Sequence, residues 1–216
     1  AGLTSQPNLN AIVEATRNTE LDTTLNPEPL RQLTHYWAAV REHYSPFECG
    51  MKAPDADLYL HEMPGGQFTN LLEQARALGL ADRWEDVCRT YADVNQLLGD
   101  IVKVTPTSKA VGDLALLLVT NEMKASELLE SNRELAFPES VVDLLSGRMG
   151  QPPGGFPPKV VARVVRNQTL IAGRPGASLA PADTQKATAE VTSIVGREAT
   201  SREVSSWLLY SRVFQE

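Results

Sequence analysis

The chain has 216 residues, 42% of them hydrophobic and 22% charged, and 20 Lys+Arg against 27 Asp+Glu give a net charge of −7. That length predicts one or two domains burying roughly 70% of the unfolded surface, and the apolar content excludes disorder. The acidic balance lacks the footprint of a nucleic-acid binder, and the longest apolar run, 114–119, falls far short of the ~20 residues needed to cross a bilayer, so neither nucleic acid nor membrane is an expected partner.

The first residues, Ala1-Gly2-Leu3-Thr4-Ser5-Gln6-Pro7, show neither an initiator Met nor a charged stretch followed by an apolar one. They fit neither a natural start nor a signal peptide, and the chain is expected to be a piece of something longer. After Pro7, Leu9, Ile12 and Val13 recur at helical spacing. Asn26-Pro27 supplies an N-cap followed by proline at the first helical position, and Leu30, Leu33, Trp37, Val40 and Tyr44 extend the helix for about 18 residues until Pro46.

The segment 59–69 holds Pro64-Gly65-Gly66, which is read as blocking a helix and making an ordered loop that delivers side chains. Leu71, Leu72, Ala75 and Leu78 then form an amphipathic helix ended by Gly79, and residues 84–98 form another ended by Gly99. Residues 101–106 fit a short strand or a connector equally well. Ser108 is expected to cap a helix to Thr120 that is apolar nearly all round and therefore buried. Residues 126–129 make only a short element.

Helices follow over 138–145, 160–165 and 181–195, and Thr200-Ser201-Arg202-Glu203 has the form of a capping box leading into a last one. Composition breaks at 151–158 and 173–176 place a domain boundary near Arg174. The whole is mostly α, with eight or nine helices and at most vestiges of strand.

Chemistry is sparse by pattern. His61-Glu62 runs into Met63-Pro64, so no HExxH helix forms, and His35 and His43 lie two turns apart on one helix, about 12 Å, too far for a shared ion. No metal site is expected from this chain. GxxxxGK[ST], GxGxxG and GxSxG are absent. The two cysteines, Cys49 and Cys88, form no CxxC and read as free thiols in a reducing cytosol or mitochondrial matrix. Residues 2–7 look by pattern more like a helix cap than a site. The pairing of 63–71 with 102–109 leaves its purpose open.

At these same residues a resemblance appears. Gly2-Leu3-Thr4-Ser5-Gln6-Pro7, His61-Glu62-Met63-Pro64-Gly65-Gly66-Gln67-Phe68-Thr69-Asn70-Leu71, the run 96–106, Lys109-Ala110-Val111-Gly112-Asp113 and Phe137-Pro138-Glu139-Ser140-Val141-Val142 resemble, in order, the carboxyltransferase domain of the pyruvate carboxylase family. Gly173-Arg174-Pro175-Gly176 and the ending 210–214 resemble the start of that family's tetramerisation and allosteric domain. The resemblance implies residues 1–20 as the end of the last strand and the final helix of a (β/α)8 TIM barrel, 21–172 as a helical funnel, and 173–216 as the beginning of an α+β allosteric domain.

It further implies a ligase that carboxylates biotin with ATP and Mg and then transfers the carboxyl group from carboxybiotin to pyruvate, giving oxaloacetate. Pyruvate would sit on a divalent metal, Zn or Mn, whose ligands belong to parts of the family outside this chain, as do the ATP-using domain and the biotinylated segment. Thr4 matches the threonine that relays the proton. Gln6, His61 and Gln67 would be positioning residues at best. The parent would be a homo-oligomer with acetyl-CoA as an allosteric effector, cytoplasmic, or in the mitochondrial matrix of a eukaryote; the 216 residues alone would not turn over pyruvate. Two other readings are the oxaloacetate decarboxylase alpha chain or transcarboxylase keto-acid subunit, toward which Thr107 in place of the usual serine leans, and a non-catalytic helical interaction module.

Overall fold

Local sequence sets the first helices. In the computed structural model, which describes residues 7–48, 50, 51, 53 and 56–214, the Asn8 side chain accepts the Ala11 N–H to open α1 (Leu9–Thr16). Asn26 accepts the Glu28 N–H ahead of Pro27 and opens α2 (Pro27–His43). The 17 residues of α2 match the length expected from its periodicity, yet none of them is buried. Trp37, Tyr36 and Leu33 stay exposed along it.

The loop expected over 59–69 is largely helical instead. A four-residue helix, α3 (Leu58–His61), ends where Glu62 turns left-handed at φ 51°, and α4 (Gly65–Ala77) begins directly after Pro64. Proline in the cap position breaks nothing, because the first N–H groups of a helix have no intrahelical acceptor. The two glycines therefore open a helix rather than prevent one.

Helices α5 (Trp84–Leu97) and α6 (Thr107–Thr120) follow, separated by a connector over 101–106. Ser108 does not cap α6: it is buried within the first turn, and the position before the helix belongs to Pro106. The Thr107 hydroxyl does the local work instead, accepting the Val104 N–H at 3.0 Å and donating to the Val102 carbonyl at 2.7 Å. Most residues of α6 are buried, as its apolar circumference predicts. The remaining helices are α7 (Glu139–Leu145), α8 (Pro158–Val165), α9 (Thr184–Val195) and α10 (Ser201–Phe214), the last kinked at Tyr210. Among the described residues there are ten α-helices and no strand.

The chain divides into two compact units, Ala1–Arg174 and Pro175–Glu216. In the first, Met63, Leu71, Tyr91, Leu98, Leu114, Leu118, Leu128 and Leu144 form a core in which α4, α5, α6 and α7 meet. Burying each large aliphatic side chain there stabilises the fold by about 1.5–3 kcal/mol before the entropy of ordering it. In the second unit Ala187, Val191 and Val204 pack between α9 and α10, with the Trp207 and Phe214 rings edge-on at 6.0 Å. Thr200 and Glu203 form the capping box read from the sequence: Thr200 N donates to Glu203 Oε2 at 2.9 Å, and Glu203 N donates to Thr200 Oγ1 at 3.3 Å.

Candidate functional site

Thr4 and Gln6 lie outside the described residues, as does Cys49. The other sequence-selected residues gather around the turn from α3 into α4. His61 ends α3 at 4% exposure, and its Nδ1 accepts the Met63 N–H at 2.9 Å. An accepting Nδ1 leaves the ring proton of the neutral imidazole on Nε2. The ring stands 5.7 Å from that of Phe68, which meets Trp84 edge-on at 5.0 Å. This aromatic row fixes the imidazole against the core, so His61 is a packed, oriented group.

Gln67 is nearly buried, in the first turn of α4. Its amide end lies against α6 at Gly112, where a Cβ would stand 2.5 Å from Nε2 and 2.9 Å from Leu71 Cδ1. Only a residue without a side chain lets the two helices approach this closely. Gly112 was quoted in the sequence as part of a motif; the structure gives it a reason.

An ion pair ties the residue just ahead of the 63–71 segment to the 102–109 segment. Lys103 Nζ donates to Glu62 Oε2 at 2.9 Å, bridging the left-handed corner after α3 to the connector before α6. The lysine side chain is 11% exposed while the glutamate is open to solvent, and the ammonium beside Glu62 holds its carboxyl below the ordinary value. Sequence reasoning did not pair the two residues, because 41 positions separate them.

One further constellation was legible in part. The Asp113 carboxylate accepts from both Lys109, one turn earlier on α6, and the Ser140 hydroxyl on α7. The i,i+4 spacing of Lys109 and Asp113 is a helical ion-pair signal, whereas Ser140 gave none.

Among the described residues no three His, Cys, Asp or Glu side chains converge on a point that could hold a metal, and none of their helices is long and apolar enough to cross a membrane. What the arrangement provides is orientation: an imidazole, an amide and an ion pair held on the ends of packed helices.

The family described as the conserved carboxylase domain matches residues 58–216. The chain is 45% identical over its full length to the pyruvate carboxylase of Aspergillus niger, of which it covers 18%. Against the carboxyl transferase domain of Rhizobium etli pyruvate carboxylase, solved with pyruvate and biocytin, it is 46% identical, with a TM-score of 0.88 over 98% of this chain and 35% of that one. A Rhizobium etli pyruvate carboxylase variant solved with the allosteric activator acetyl coenzyme A matches at a TM-score of 0.89 and 45% identity, covering 98% of this chain and 21% of that one. The chain thus spans less than a fifth of the length of the Aspergillus protein.

Proposed function

The chain belongs to the conserved carboxylase domain family, and from that premise we propose that it forms the helical part of the carboxyltransferase domain of a biotin-dependent pyruvate carboxylase. The observation that carries this reading is the 46% identity and TM-score of 0.88, over 98% of this chain and 35% of that one, to a carboxyl transferase domain solved with pyruvate and biocytin. In this reading residues 1–20 close a (β/α)8 barrel, 21–172 are its funnel, and 173–216 begin an α+β allosteric domain that answers to acetyl-CoA in a homo-oligomeric ligase. ATP with Mg serves the carboxylation of biotin elsewhere in the parent.

The reacting residue is Thr4. Pyruvate takes a carboxyl group at its methyl carbon only after losing a proton there, and the Thr4 hydroxyl accepts that proton while giving up its own. A free hydroxyl is a weak acid and a weak base, so the exchange is concerted rather than stepwise. The β-branched side chain restricts χ1 and keeps the oxygen aimed. Biotin, when bound, supplies the transferable carboxyl group and a basic ureido nitrogen as the proton's destination. In this reading the ligands of the divalent metal belong to the rest of the parent.

In the full-length protein, Thr4→Ala should lower oxaloacetate formation by roughly 10²-fold or more and leave bicarbonate-dependent ATP cleavage unchanged. Oxaloacetate turnover close to that of the unmodified protein overturns the assignment.

A further inference from the structure

Charge is spread unevenly along the chain. Residues 144–182 hold Arg148, Lys159, Arg163, Arg166 and Arg174 and no Asp or Glu, which leaves 15 basic and 27 acidic residues for the rest. Within this stretch α8 and the loop before it frame a cavity of about 490 Å³, and every residue lining it falls between Leu145 and Leu170. That volume is in the range of small-molecule sites, which are mostly apolar with a few polar groups that orient the ligand. The walls here are chiefly aliphatic, from Leu145, Val161, Val165 and Leu170, with Phe156 as the one ring.

The polar side chains of the lining are Gln151, Gln168 and Arg166. Gln151 Nε2 donates to the Ile171 carbonyl at 2.7 Å. Among the described residues Arg166 is the only charge in the lining, and no carboxylate pairs with it. Its Nη2 donates to the Leu135 carbonyl at 3.1 Å and its guanidinium lies over the Phe137 ring at 5.9 Å. A guanidinium has five N–H donors, so most of its capacity is left for an acceptor.

The backbone at Arg166 is an independent sign. The Gln168 N–H donates to the Val165 carbonyl at 3.1 Å, closing a turn in which Arg166, at φ 54° and ψ −118°, takes the first central position. That is type II′ geometry, where glycine is the usual residue because a Cβ resists a positive φ. Strain of this kind persists where the surroundings hold it, and it gathers at ligand clamps. The strained residue here is the one that brings a charge to an apolar cavity.

We propose that this cavity binds a small aliphatic carboxylate, its chain against Leu145, Val161, Val165 and Leu170 and its carboxylate accepting from the Arg166 guanidinium; this binding does not depend on the role given to Thr4. The sign of the ligand's charge follows from Arg166 and from the lack of any acidic side chain over 144–182, and its aliphatic body follows from the walls.

Isothermal titration calorimetry of the full-length protein with octanoate, and with octanamide as its uncharged counterpart, tests the site. Octanoate should bind about 10-fold more tightly than octanamide, the margin of one charge-assisted hydrogen bond. Arg166→Gln should erase that margin and Arg166→Lys should keep part of it. Ala162→Trp, at an exposed position of the lining, should fill the cavity and block octanoate in a protein that still melts cooperatively, which keeps the site testable if Arg166→Gln does not fold. Equal affinity for the two ligands, no octanoate binding to the full-length protein, or undiminished binding after Ala162→Trp overturns the proposal.

Discussion

The carboxylate of Glu62 accepts a 2.9 Å hydrogen bond from Lys103, so a left-handed helix corner and a connector far away in sequence are held as one surface. That hydrogen bond, followed by the lysine's charge, lowers the Glu62 pKa from the ordinary 4.5. The folded value is the lower one, so the pair's stabilisation is complete above the unfolded value and disappears as pH falls through the folded value. Lys103→Met should return the Glu62 titration, followed by carboxyl NMR, to the ordinary glutamate range. An unaltered titration would mean that the pair does not form.

Gly112 makes a steric prediction. A methyl group there meets Gln67 and Leu71 well inside van der Waals distance. The Gln67 amide can swing, but Leu71 is fully buried and cannot. Gly112→Ala should therefore destabilise the protein by about 1–3 kcal/mol through overpacking, more than the gain of up to ~1 kcal/mol in helix propensity. Urea denaturation measures the difference, and a Gln67→Ala background should recover part of it. Equal stability of Gly112→Ala and the parent would rule out the close approach of α4 and α6.

Glu203 carries the pH dependence of the second unit. Hydrogen bonds from Arg197, and then from the N–H and hydroxyl of Thr200, push its carboxyl down to about 2. The contribution is present above pH 4.5, the ordinary glutamate value, and fades as pH falls toward 2. Circular-dichroism melts between pH 6 and pH 2 should show the α9–α10 pair losing stability across that window, and Glu203→Gln should flatten the slope. Because the groups are exposed, added salt should weaken the effect; a slope unchanged by Glu203→Gln would remove Glu203 as its source.

Local signals were legible wherever they lay within one turn of a helix. The Asn26 cap, the Thr200–Glu203 box and the all-round apolar α6 follow from local spacing alone, because each depends on neighbours within about a turn. The misread stretch was 59–69. Pro64 and two glycines argue against a helix interior, but they say nothing against a helix beginning just after them. Ser108 failed for the converse reason: a good capping residue is of no use once Pro106 occupies the cap and the core claims the serine.

The site was legible by resemblance more than by pattern. His61 and Gln67 could be named from a motif, while the Glu62–Lys103 pair and the Ser140–Asp113 contact join residues from different elements, which no periodicity encodes. Thr107 shows how little a motif departure can mean. Its side-chain hydrogen bonds all run through the hydroxyl, and a serine carries the same group.

The lack of any buried residue on α2 separates two free energies that one melting curve would merge. A 17-residue helix held by an Asn26 cap, by Arg31 to Glu28 at 3.1 Å and by polar contacts from α1 such as Asn10 to the Leu30 carbonyl draws on terms of a few tenths to about 1 kcal/mol each. Most helical stability in a folded protein comes from packing an apolar face, and α2 buries no residue. Its backbone amides are therefore protected only to the extent of a local opening, whereas those of α5 and α6 are released by unfolding of the core itself. A cooperative transition measured on this chain describes the helices around Leu114 and Tyr91, and α2 keeps its own, shallower equilibrium.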